Sequence, residues 1–553
     1  MTLSRWVSHG LAWAACYGIL AAISSVLGIG GGYYLVSCLI FSFAAAFGFS
    51  SQGLFWSDRD DAIFGQAEPQ FPEKVWFWLL VLLCQLHFFF IFYESRGSFW
   101  TRNPNNIGDL PMHIHFIRFF SRGGTTADSH PLLAGASFKY PPASNLWNAA
   151  FESAGVSTGF HLFFVGAIAS LVLLLILKKW SGWWGILALI WSGGISTKGI
   201  GLGWGPGADL AWKNIFLSMW LTQRGLLFAL PMGILLLHLH WKSLEQNRRW
   251  TQNQKYLVAL LWMALPFFHL HSFLLVSFFL GLQCLHFKDW DLVKTLRWVL
   301  PLAVLPILRS QSEAGSAIHW SLNWMAPEND PWLFWFRNFS FWLVIPLVVI
   351  LQASIRRRSL QQNELWMVAL LGFGTILLTA LMLAPWDWDQ TKVFLWLYLY
   401  WNFLFYRFIW KSCGPLQRAF IVGLILFPGF QQWLSSFPAY QSQVKVWDID
   451  EAEEMQRLVK DLSVNESVVV VPGHNHPILA TGQQIWMGYE GHTWAHQVNS
   501  APNKKVLEAI NSKDKDSLNK FEHRPNWILI QNHEQQEIPK WKLQSFDSFV
   551  QGL

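Results

Sequence analysis

The sequence predicts an all-α polytopic membrane protein, a bundle of about thirteen transmembrane helices, with a small C-terminal extracytoplasmic α/β domain. Only 13% of its 553 residues are charged and 53% are hydrophobic, whereas a soluble globular protein carries about 25% charged residues. Stretches such as residues 76–92 and 160–177 are nearly free of charge and long enough to cross about 30 Å of hydrocarbon. Many such stretches in one chain predict a helical bundle, because helices satisfy their own backbone in lipid.

The predicted spans occupy the first 436 residues, and residues 437–553 form the predicted soluble domain. The spans fall near residues 9–27, 32–50, 75–93, 158–177, 183–198, 224–241, 256–268, 270–286, 293–308, 332–352, 364–384, 393–410 and 418–436. The region 256–286 is too long for one span, and Pro266 with the His269-Leu270-His271 sequence predicts two short helices that meet there.

Basic residues orient the bundle. Five clusters, within residues 178–179, 242–255, 288–297, 356–358 and 411–418, flank successive spans. They all fall on the cytoplasmic side when the N-terminus is inside, as the positive-inside rule requires. An odd number of spans then places the long loop at residues 94–157 and the C-terminal domain outside the cytoplasm. We expect a multi-pass protein of a bacterial inner (cytoplasmic) membrane with an extracytoplasmic C-terminus, part of the cell envelope.

Charge also narrows the partners. From Phe437 onward the chain has 11 Lys and Arg against 15 Asp and Glu, whereas the preceding part has 29 against 19. A basic membrane part and an acidic tail favour lipid headgroups or phosphates over nucleic acid. The five cysteines show no disulfide or metal-binding spacing. No nucleotide-binding loop is present either, since Gly28–Gly32 lies between two apolar spans as a turn.

The long loop contains the first candidate catalytic residues. Asp109 precedes a short segment, Pro111–Arg122, whose apolar spacing predicts an amphipathic helix lying in the membrane interface. A carboxylate beside His113 can act as a general base or bind a metal near the headgroups. The alternative is that Asp109 only caps this helix, and the spacing favours neither function over the other.

A second candidate site lies at the corner Pro385–Lys392, which reads Pro-Trp-Asp-Trp-Asp-Gln-Thr-Lys. Charges at the end of a span are costly unless they are paired or functional. Asp387 and Asp389 can hold a divalent cation such as Mg²⁺ or Mn²⁺ through oxygen ligands, and Lys392 can bind a phosphate. The alternative is a solvated turn with an Asp–Lys pair.

Further polar residues are candidates for substrate binding. Arg224 opens a span and can meet a phosphate, or else reach the headgroups from an ordinary helix end. His269 and His271 lie in apolar surroundings and are either functional or structural histidines. His474 and His476 follow a predicted strand, where they can bind a metal, although contact with the substrate is the preferred interpretation.

Taken together, these features resemble the GT-C superfamily of membrane glycosyltransferases. The resemblance rests on the acidic residue in the first long loop, the helix after it, the number of spans, and the C-terminal domain. It extends to Pro472-Gly473-His474-Asn475-His476-Pro477 and to Met487–Trp494, which resemble the extracytoplasmic segment of bacterial members of uncertain substrate. Asp389-Gln390-Thr391-Lys392 fits the Asp-x-x-Lys motif of the oligosaccharyltransferase branch. The Trp-Trp-Asp segment of that branch is absent, which argues against an oligosaccharyl donor and an asparagine acceptor.

The resemblance implies a hexosyltransferase that takes a sugar from a polyprenyl-phosphate donor and passes it to an acceptor on the extracytoplasmic face. Asp109 would be the catalytic carboxylate with His113 beside it, and Arg224, His269, His271, Lys392, His474, His476 and Trp494 would bind substrate. A secondary transporter or flippase of lipid-linked sugars is the alternative, but it requires ionisable residues in the middle of spans. A non-catalytic scaffold with an interaction domain also fits the sequence.

Overall fold

The computed structural model describes residues 3–51, 71–195, 214–247, 249–309, 318–322, 324, 326, 330–357, 360–384, 387–437, 443–496, 498–532 and 540–553. The basic-cluster residues Arg248 and Arg358 and the corner residues Pro385 and Trp386 lie outside these ranges. Within them the chain is mostly helical, as its apolar periodicity predicts. The α-helices are α1 (Leu3–Val26), α2 (Gly32–Ser51), α3 (Phe71–Phe89), α4 (Leu110–Ser121), α5 (Ala143–Ser153), α6 (Thr158–Ile190), α7 (Leu226–Gln246), α8 (Gln252–Phe268), α9 (Leu270–Phe287), α10 (Trp290–Arg309), α11 (Pro331–Phe339), α12 (Val344–Ile355), α13 (Gln362–Leu378), α14 (Asp387–Phe408), α15 (Pro415–Ile425), α16 (Phe427–Ser435), α17 (Ile449–Leu458), α18 (Glu490–Ala495), α19 (Ala501–Asn511), α20 (Lys515–Lys520) and α21 (Phe546–Gly552).

The strands are short and belong mainly to the long loop and the C-terminal segment. They are β1 (Tyr93–Ser95), β2 (Ser98–Thr101), β3 (Ser129–His130), β4 (Leu133–Ser137), β5 (His319–Trp320), β6 (Leu381–Met382), β7 (Val444–Asp448), β8 (Val468–Val469), β9 (Trp527–Asn532) and β10 (Lys540–Ser545). Short apolar stretches at residues 467–471 and 527–530 predict two strands of the C-terminal segment. They correspond to β8 and β9, which pair in parallel, and β10 joins β9 in antiparallel orientation.

Five helical segments of the described chain are long and apolar enough to cross a membrane. They are Trp6–Val26, Thr158–Ile190, Leu226–Gln246, Leu270–Phe287 and Pro331–Ile355. Other predicted spans are helices of less than membrane length, such as α13 with 17 residues and α15 with 11. The described residues thus form a helical bundle with five helices of membrane length. This number is smaller than the thirteen spans that the sequence predicts. Exposed aromatic residues on α2 and α3, among them Phe41 and Trp76, form the kind of apolar surface that suits lipid.

Two breaks in the helices agree with the sequence. The 33-residue α6 covers two predicted spans and leaves helical geometry at Ser181 and Gly182. Gly182 has a φ of 61°, and a Cβ there would lie 2.6 Å from the ring of Tyr406, so glycine fits where other residues do not. Helices α8 and α9 meet at His269, whose extended backbone separates them as predicted.

The long loop (residues 94–157) and the C-terminal segment (residues 437–553) are bound to each other. Strand β7 pairs with β2 to make the three-stranded sheet β1-β2-β7. Leu133 forms a β-bridge with Met487, and the guanidinium groups of Arg118 and Arg122 donate to backbone carbonyls at Ala480 and Thr481. The two segments therefore lie on the same side of the bundle.

Helix α4 differs from the interfacial helix that the sequence predicts. Ten of its twelve residues are buried, including its histidines. Its sides are covered by α5 and by the turn Pro477–Ala480 of the C-terminal segment, so protein atoms take the place that the amphipathic pattern suggested for lipid. The helix fixes Asp109 at its N-terminus against the bundle.

Candidate active site

The long loop, the bundle and the C-terminal segment together enclose a cavity of about 1210 Å³. Its bundle side is formed by the end of α1, the α8–α9 junction, the end of α10 and the start of α14. The C-terminal segment contributes residues between His474 and His496. Seven residues that the sequence analysis singled out line this cavity: Asp109, His269, His271, Asp389, Lys392, His474 and Trp494.

Asp109 occupies the N-cap position of α4, but its side chain makes no capping hydrogen bond. The alternative that it serves only as a helix cap is therefore wrong. Oδ2 instead accepts a hydrogen bond from the Nε2 amide of Gln223 at 3.0 Å, and Oδ1 lies 4.0 Å from Nε2 of His492. The side chain is 36% exposed, so a carboxylate held by a neighbouring amide is still open to the cavity.

The corner at the start of α14 meets the long loop in this cavity, since Asp389 and Lys392 line it together with Asp109. Lys392 Nζ lies 2.5 Å from Asp389 Oδ1, and both side chains are mostly buried. Tyr140 lies close to both acidic residues: burial raises the pKa of its hydroxyl, and the negative charges of Asp109 and Asp389 raise it further. The side chain of Asp387 lies outside the described residues.

The junction of α8 and α9 places two histidines on the cavity wall. His269 Nδ1 accepts a hydrogen bond from the backbone N–H of Ser272 and thereby caps α9. Its Nε2 atom is buried and has no hydrogen-bond partner among the described residues. The ring of His271 lies 5.6 Å from that of His269, centroid to centroid. A structural role for His269 is thus present, while one ring nitrogen is left unused.

The C-terminal segment supplies an aromatic side to the cavity. Trp494 and Tyr489 are each more than two-fifths exposed although they line it, and the ring of Tyr489 packs against those of His474 and His492. His492 Nε2 donates to the carbonyl oxygen of Gly108 at 2.7 Å. Burial lowers the pKa of His492, and the nearby Asp109 opposes that shift.

Three predicted site residues lie away from the cavity lining. His113 is buried in α4, and its Nδ1 atom is 3.0 Å from Asn145 Oδ1. His476 caps the turn at Pro477 by accepting from the Ile478 N–H, and its ring packs on Trp541. Arg224 is 2% exposed, and no nitrogen of its guanidinium has a hydrogen-bond partner among the described residues. Arg224 nevertheless directly follows Gln223, which lines the cavity.

The described residues do not offer a ligand set for the predicted divalent cation. No group of three or more His, Cys, Asp or Glu in the described part of the chain is arranged to hold a metal ion. Asp389, one of the two predicted ligands, is already paired with Lys392. The ammonium group of Lys392 competes with a metal ion for the same carboxylate oxygen of Asp389.

Sequence reasoning missed several residues of this site. Gln223, Tyr489, His492 and His496 line the cavity but were not singled out as site residues. Gln223 lies next to Arg224 in the sequence and is 114 positions from its partner Asp109. Two signals were available for the C-terminal residues: the Met487–Trp494 stretch, which contains Tyr489 and His492, and the spacing of His492 and His496.

Comparisons of this chain with protein-family models, with curated proteins and with solved structures gave no match.

Proposed function

We propose that the protein is a membrane glycosyltransferase of the GT-C type. It would move a hexose from a polyprenyl-phosphate donor to an acceptor on the extracytoplasmic face of a bacterial inner membrane. The observation that carries this proposal is the carboxylate of Asp109, which does not cap α4 and borders the same cavity as Lys392. A base for the acceptor and a cation for the leaving phosphate are the two charged groups that such a transfer requires.

The lining of the cavity supports an amphiphilic donor. It includes apolar side chains from the helical bundle: Ala22, Val26, Phe267, Leu270, Leu274, Leu305 and Ile307. It also includes the charged residues Asp109 and Lys392 and several histidines. An isoprenoid chain gains free energy by burying its apolar surface against the apolar residues. The sugar and its phosphate can then lie beside the polar residues.

The aromatic side of the cavity supports a carbohydrate at the reaction centre. Trp494 and Tyr489 present exposed ring surface beside polar groups. Binding sites of this kind are lined mainly by apolar and aromatic groups, and a few polar groups fix the orientation of the ligand. The acceptor is a molecule with a hydroxyl group that Asp109 can reach.

In the proposed reaction the acceptor oxygen attacks the anomeric carbon and Asp109 takes the hydroxyl proton. A new carbon–oxygen bond forms as the bond between the anomeric carbon and the phosphate oxygen breaks, with inversion at that carbon. The polyprenyl phosphate leaves with the electron pair, and Lys392 lies in the cavity to offset its charge. Gln223 donates a hydrogen bond to Oδ2 and thereby holds Asp109 in one orientation. We therefore assign Oδ1 as the oxygen that accepts the proton of the acceptor hydroxyl.

Arg224 supports the phosphate role from behind the lining. A buried guanidinium without a partner is strongly destabilising unless a negative charge approaches it. The guanidinium of Arg224, one position beyond Gln223, is buried and has no hydrogen-bond partner among the described residues. Its charge would add to that of Lys392 when an anionic donor fills the cavity.

The substitution Asp109→Asn tests this proposal. Asn keeps the size of the side chain and can still accept the Gln223 hydrogen bond, but it has no charge and little basicity. Transfer from a polyprenyl-phosphate hexose, measured as release of polyprenyl phosphate in membranes that contain the protein, should fall by about 10²–10⁴-fold. Asp291→Asn, at an exposed position of α10, is the matched control and should transfer as wild type does.

The alternative class predicts a different result for the same proteins. A flippase of lipid-linked sugars would move the intact donor across the bilayer and release no polyprenyl phosphate. If the wild-type protein moves a fluorescent polyprenyl-phosphate sugar across the same membranes that are used for the transfer assay, and does not cleave it, glycosyl transfer is ruled out. Wild-type turnover by well-expressed Asp109→Asn protein would rule out Asp109 as the base.

A further inference from the structure

A chain of hydrogen bonds leads from the backbone of the long loop into the cavity through two histidines. The backbone N–H of Leu132 donates to Nδ1 of His130 at 3.1 Å. Nε2 of His130 lies 3.0 Å from Nδ1 of His496, and His496 lines the cavity. The bonds join β3 of the long loop to the residue that follows α18 in the C-terminal segment.

The first bond sets the direction of the second. A backbone N–H is always a donor, so Nδ1 of His130 must be the unprotonated nitrogen. In a neutral imidazole the other nitrogen then carries the proton, and Nε2–H of His130 donates to Nδ1 of His496. His496 is thereby also fixed with its proton on Nε2, because its Nδ1 accepts.

Both rings are held neutral and in place. Burial lowers the pKa of His130 to about 3, and burial together with His130 holds the pKa of His496 well below its usual value. The His496 ring packs at 4.7 Å from the ring of Tyr140, and the His130 ring stacks at 5.3 Å on that of Phe138. Neither ring can therefore turn over without breaking these contacts.

No described residue accepts a hydrogen bond from the protonated nitrogen of His496. The hydrogen-bond partner of the ring is at Nδ1, and the residue, 9% exposed, lines the cavity. A donor at a cavity wall that no described residue uses can bond to a ligand. A fixed donor of this kind is suited to a ligand with an oxygen acceptor.

We propose that His496 is a ligand-binding residue whose Nε2–H donates a hydrogen bond to an oxygen atom of the molecule that fills the cavity. The oxygen belongs either to a hydroxyl group of the sugar or to the phosphate of the lipid, since both accept from a neutral N–H. The choice of these two ligands rests on the proposed function, whereas the assignment of the proton to Nε2 does not. His130 is a positioning residue that acts through His496.

The proton position is tested first, on the full chain in lipid nanodiscs without added ligand. Nitrogen NMR of protein labelled with ¹⁵N-histidine should show His496 protonated at Nε2 and bare at Nδ1, with the signal assigned by its loss in the His496→Gln protein. In the His130→Phe protein the same signal should shift toward a mixture of the two neutral forms. A proton on Nδ1 of His496 in the wild-type protein overturns the proposal.

Binding is tested with variants that imitate one ring nitrogen each. The amide nitrogen of Gln reaches about as far as Nε2, whereas that of Asn reaches only as far as Nδ1. The two probes are undecaprenyl phosphate and undecaprenyl-phosphate glucose. For His496→Gln we expect affinities within about 2-fold of wild type, and for His496→Asn a loss of at least about 3-fold. The control His286→Asn, at an exposed position of α9, should bind as wild type does.

The two lipids distinguish the sources of the acceptor oxygen. A loss with both lipids, of about 10-fold or more because the acceptor is charged, assigns the bond to the phosphate. A loss of about 3- to 10-fold with the glucose-linked lipid alone assigns it to a sugar hydroxyl. Wild-type affinity of folded His496→Asn protein for both lipids overturns this proposal and leaves the proposed function standing. Failure of the wild-type protein to bind either lipid overturns both.

Discussion

The side-chain amide of Gln223 donates a hydrogen bond to Oδ2 of Asp109 across 3.0 Å, although 114 positions separate the two residues. This contact connects the segment before α7 with the start of α4. The hydrogen bond holds the carboxylate in one orientation at the cavity. A carboxylate that capped the helix would point toward the backbone of α4 instead. The proposed general base is thus positioned by a residue outside its own loop.

Replacing Gln223 should slow glycosyl transfer only because it changes the position of Asp109. Gln223→Met keeps the length of the side chain and removes the donor, so the carboxylate loses a charge-assisted hydrogen bond of about 1.5–3 kcal/mol. We expect kcat to fall about 10-fold, with KM for the donor less affected. In the Asp109→Asn background the same substitution should change kcat by less than about 2-fold, because the shared interaction has already been removed. Equal effects in both backgrounds would contradict a positioning role.

His269→Asn should separate the helix-capping role of His269 from its proposed role in binding the donor. Asn is a good N-cap residue, so it can replace Nδ1 in accepting from the Ser272 N–H, while the unpartnered Nε2 is lost. We expect a thermal unfolding midpoint close to that of wild type and a donor affinity reduced by about 3- to 10-fold. His269→Ala removes both functions and should also lower the unfolding midpoint. Unchanged affinity in a stable His269→Asn protein would leave only the structural role.

The pair formed by Asp389 and Lys392 predicts a distinct pattern in a double substitution. Lys392→Met leaves Asp389 mostly buried and unpaired. This should destabilise the protein by about 1–3 kcal/mol and weaken binding of polyprenyl phosphate. Adding Asp389→Asn removes the unpaired charge and should restore the unfolding midpoint without restoring lipid binding. Recovery of both properties in the double variant would show that Lys392 does not contact the phosphate.

Acid should destabilise the loop region through its buried histidines. Burial lowers the pKa of His113 and His115 to about 4 and that of His130 to about 3, whereas an unfolded histidine titrates near 6.5. Between about pH 6.5 and pH 4 the unfolded chain therefore binds protons that the folded chain does not, and stability falls as the pH falls. Each histidine contributes up to about 1.4 kcal/mol per pH unit in this window.

The measurement is the thermal unfolding midpoint in detergent at several values between pH 7.5 and pH 5. His115→Leu should flatten the dependence on pH, whatever its effect on the midpoint at pH 7.5. His286→Leu, at an exposed position, should leave the slope of wild type. An identical slope in the His115→Leu protein would mean that His115 is not the source of the acid sensitivity.

The pairing of β2 with β7 makes a prediction about membrane topology. Because these strands share a sheet, the long loop and the C-terminal segment must face the same side of the membrane. A reporter that is active only in the cytoplasm should be inactive when fused after Leu553, and also when inserted in the long loop at the exposed turn formed by Ala154 and Gly155. Opposite results at the two positions would contradict the sheet, and activity at both would reverse the proposed orientation.

Treatment with a chelator tests whether transfer requires the divalent cation that the sequence suggested. With Asp389 paired to Lys392, we expect transfer in membranes to persist after treatment with a chelator of Mg²⁺ and Mn²⁺. Loss of activity that either ion restores would instead assign a catalytic metal. A further Asp387→Asn protein would then show whether that carboxylate is one of its ligands.

The sequence by itself determined the features that depend on near neighbours along the chain. Apolar stretches predicted the helices of the bundle, and Pro266 with His269 predicted the break between α8 and α9, because helix formation and its interruption are decided within a few residues. Short apolar stretches likewise predicted β8 and β9. Asp109, Asp389 and Lys392 could be singled out because charged residues in such an apolar chain are rare and costly.

Tertiary structure alone decided which of these residues meet and what each side chain does. Hydrogen bonds from Gln223 to Asp109 and from His130 to His496 join positions 114 and 366 residues apart, and no local pattern encodes such distances. Packing also buried Arg224, His113 and α4 within protein, where the sequence suggested lipid or a ligand. The reason is that the periodicity of apolar residues predicts only that one face of a helix is buried. The tertiary structure decides whether lipid, protein or a ligand covers that face.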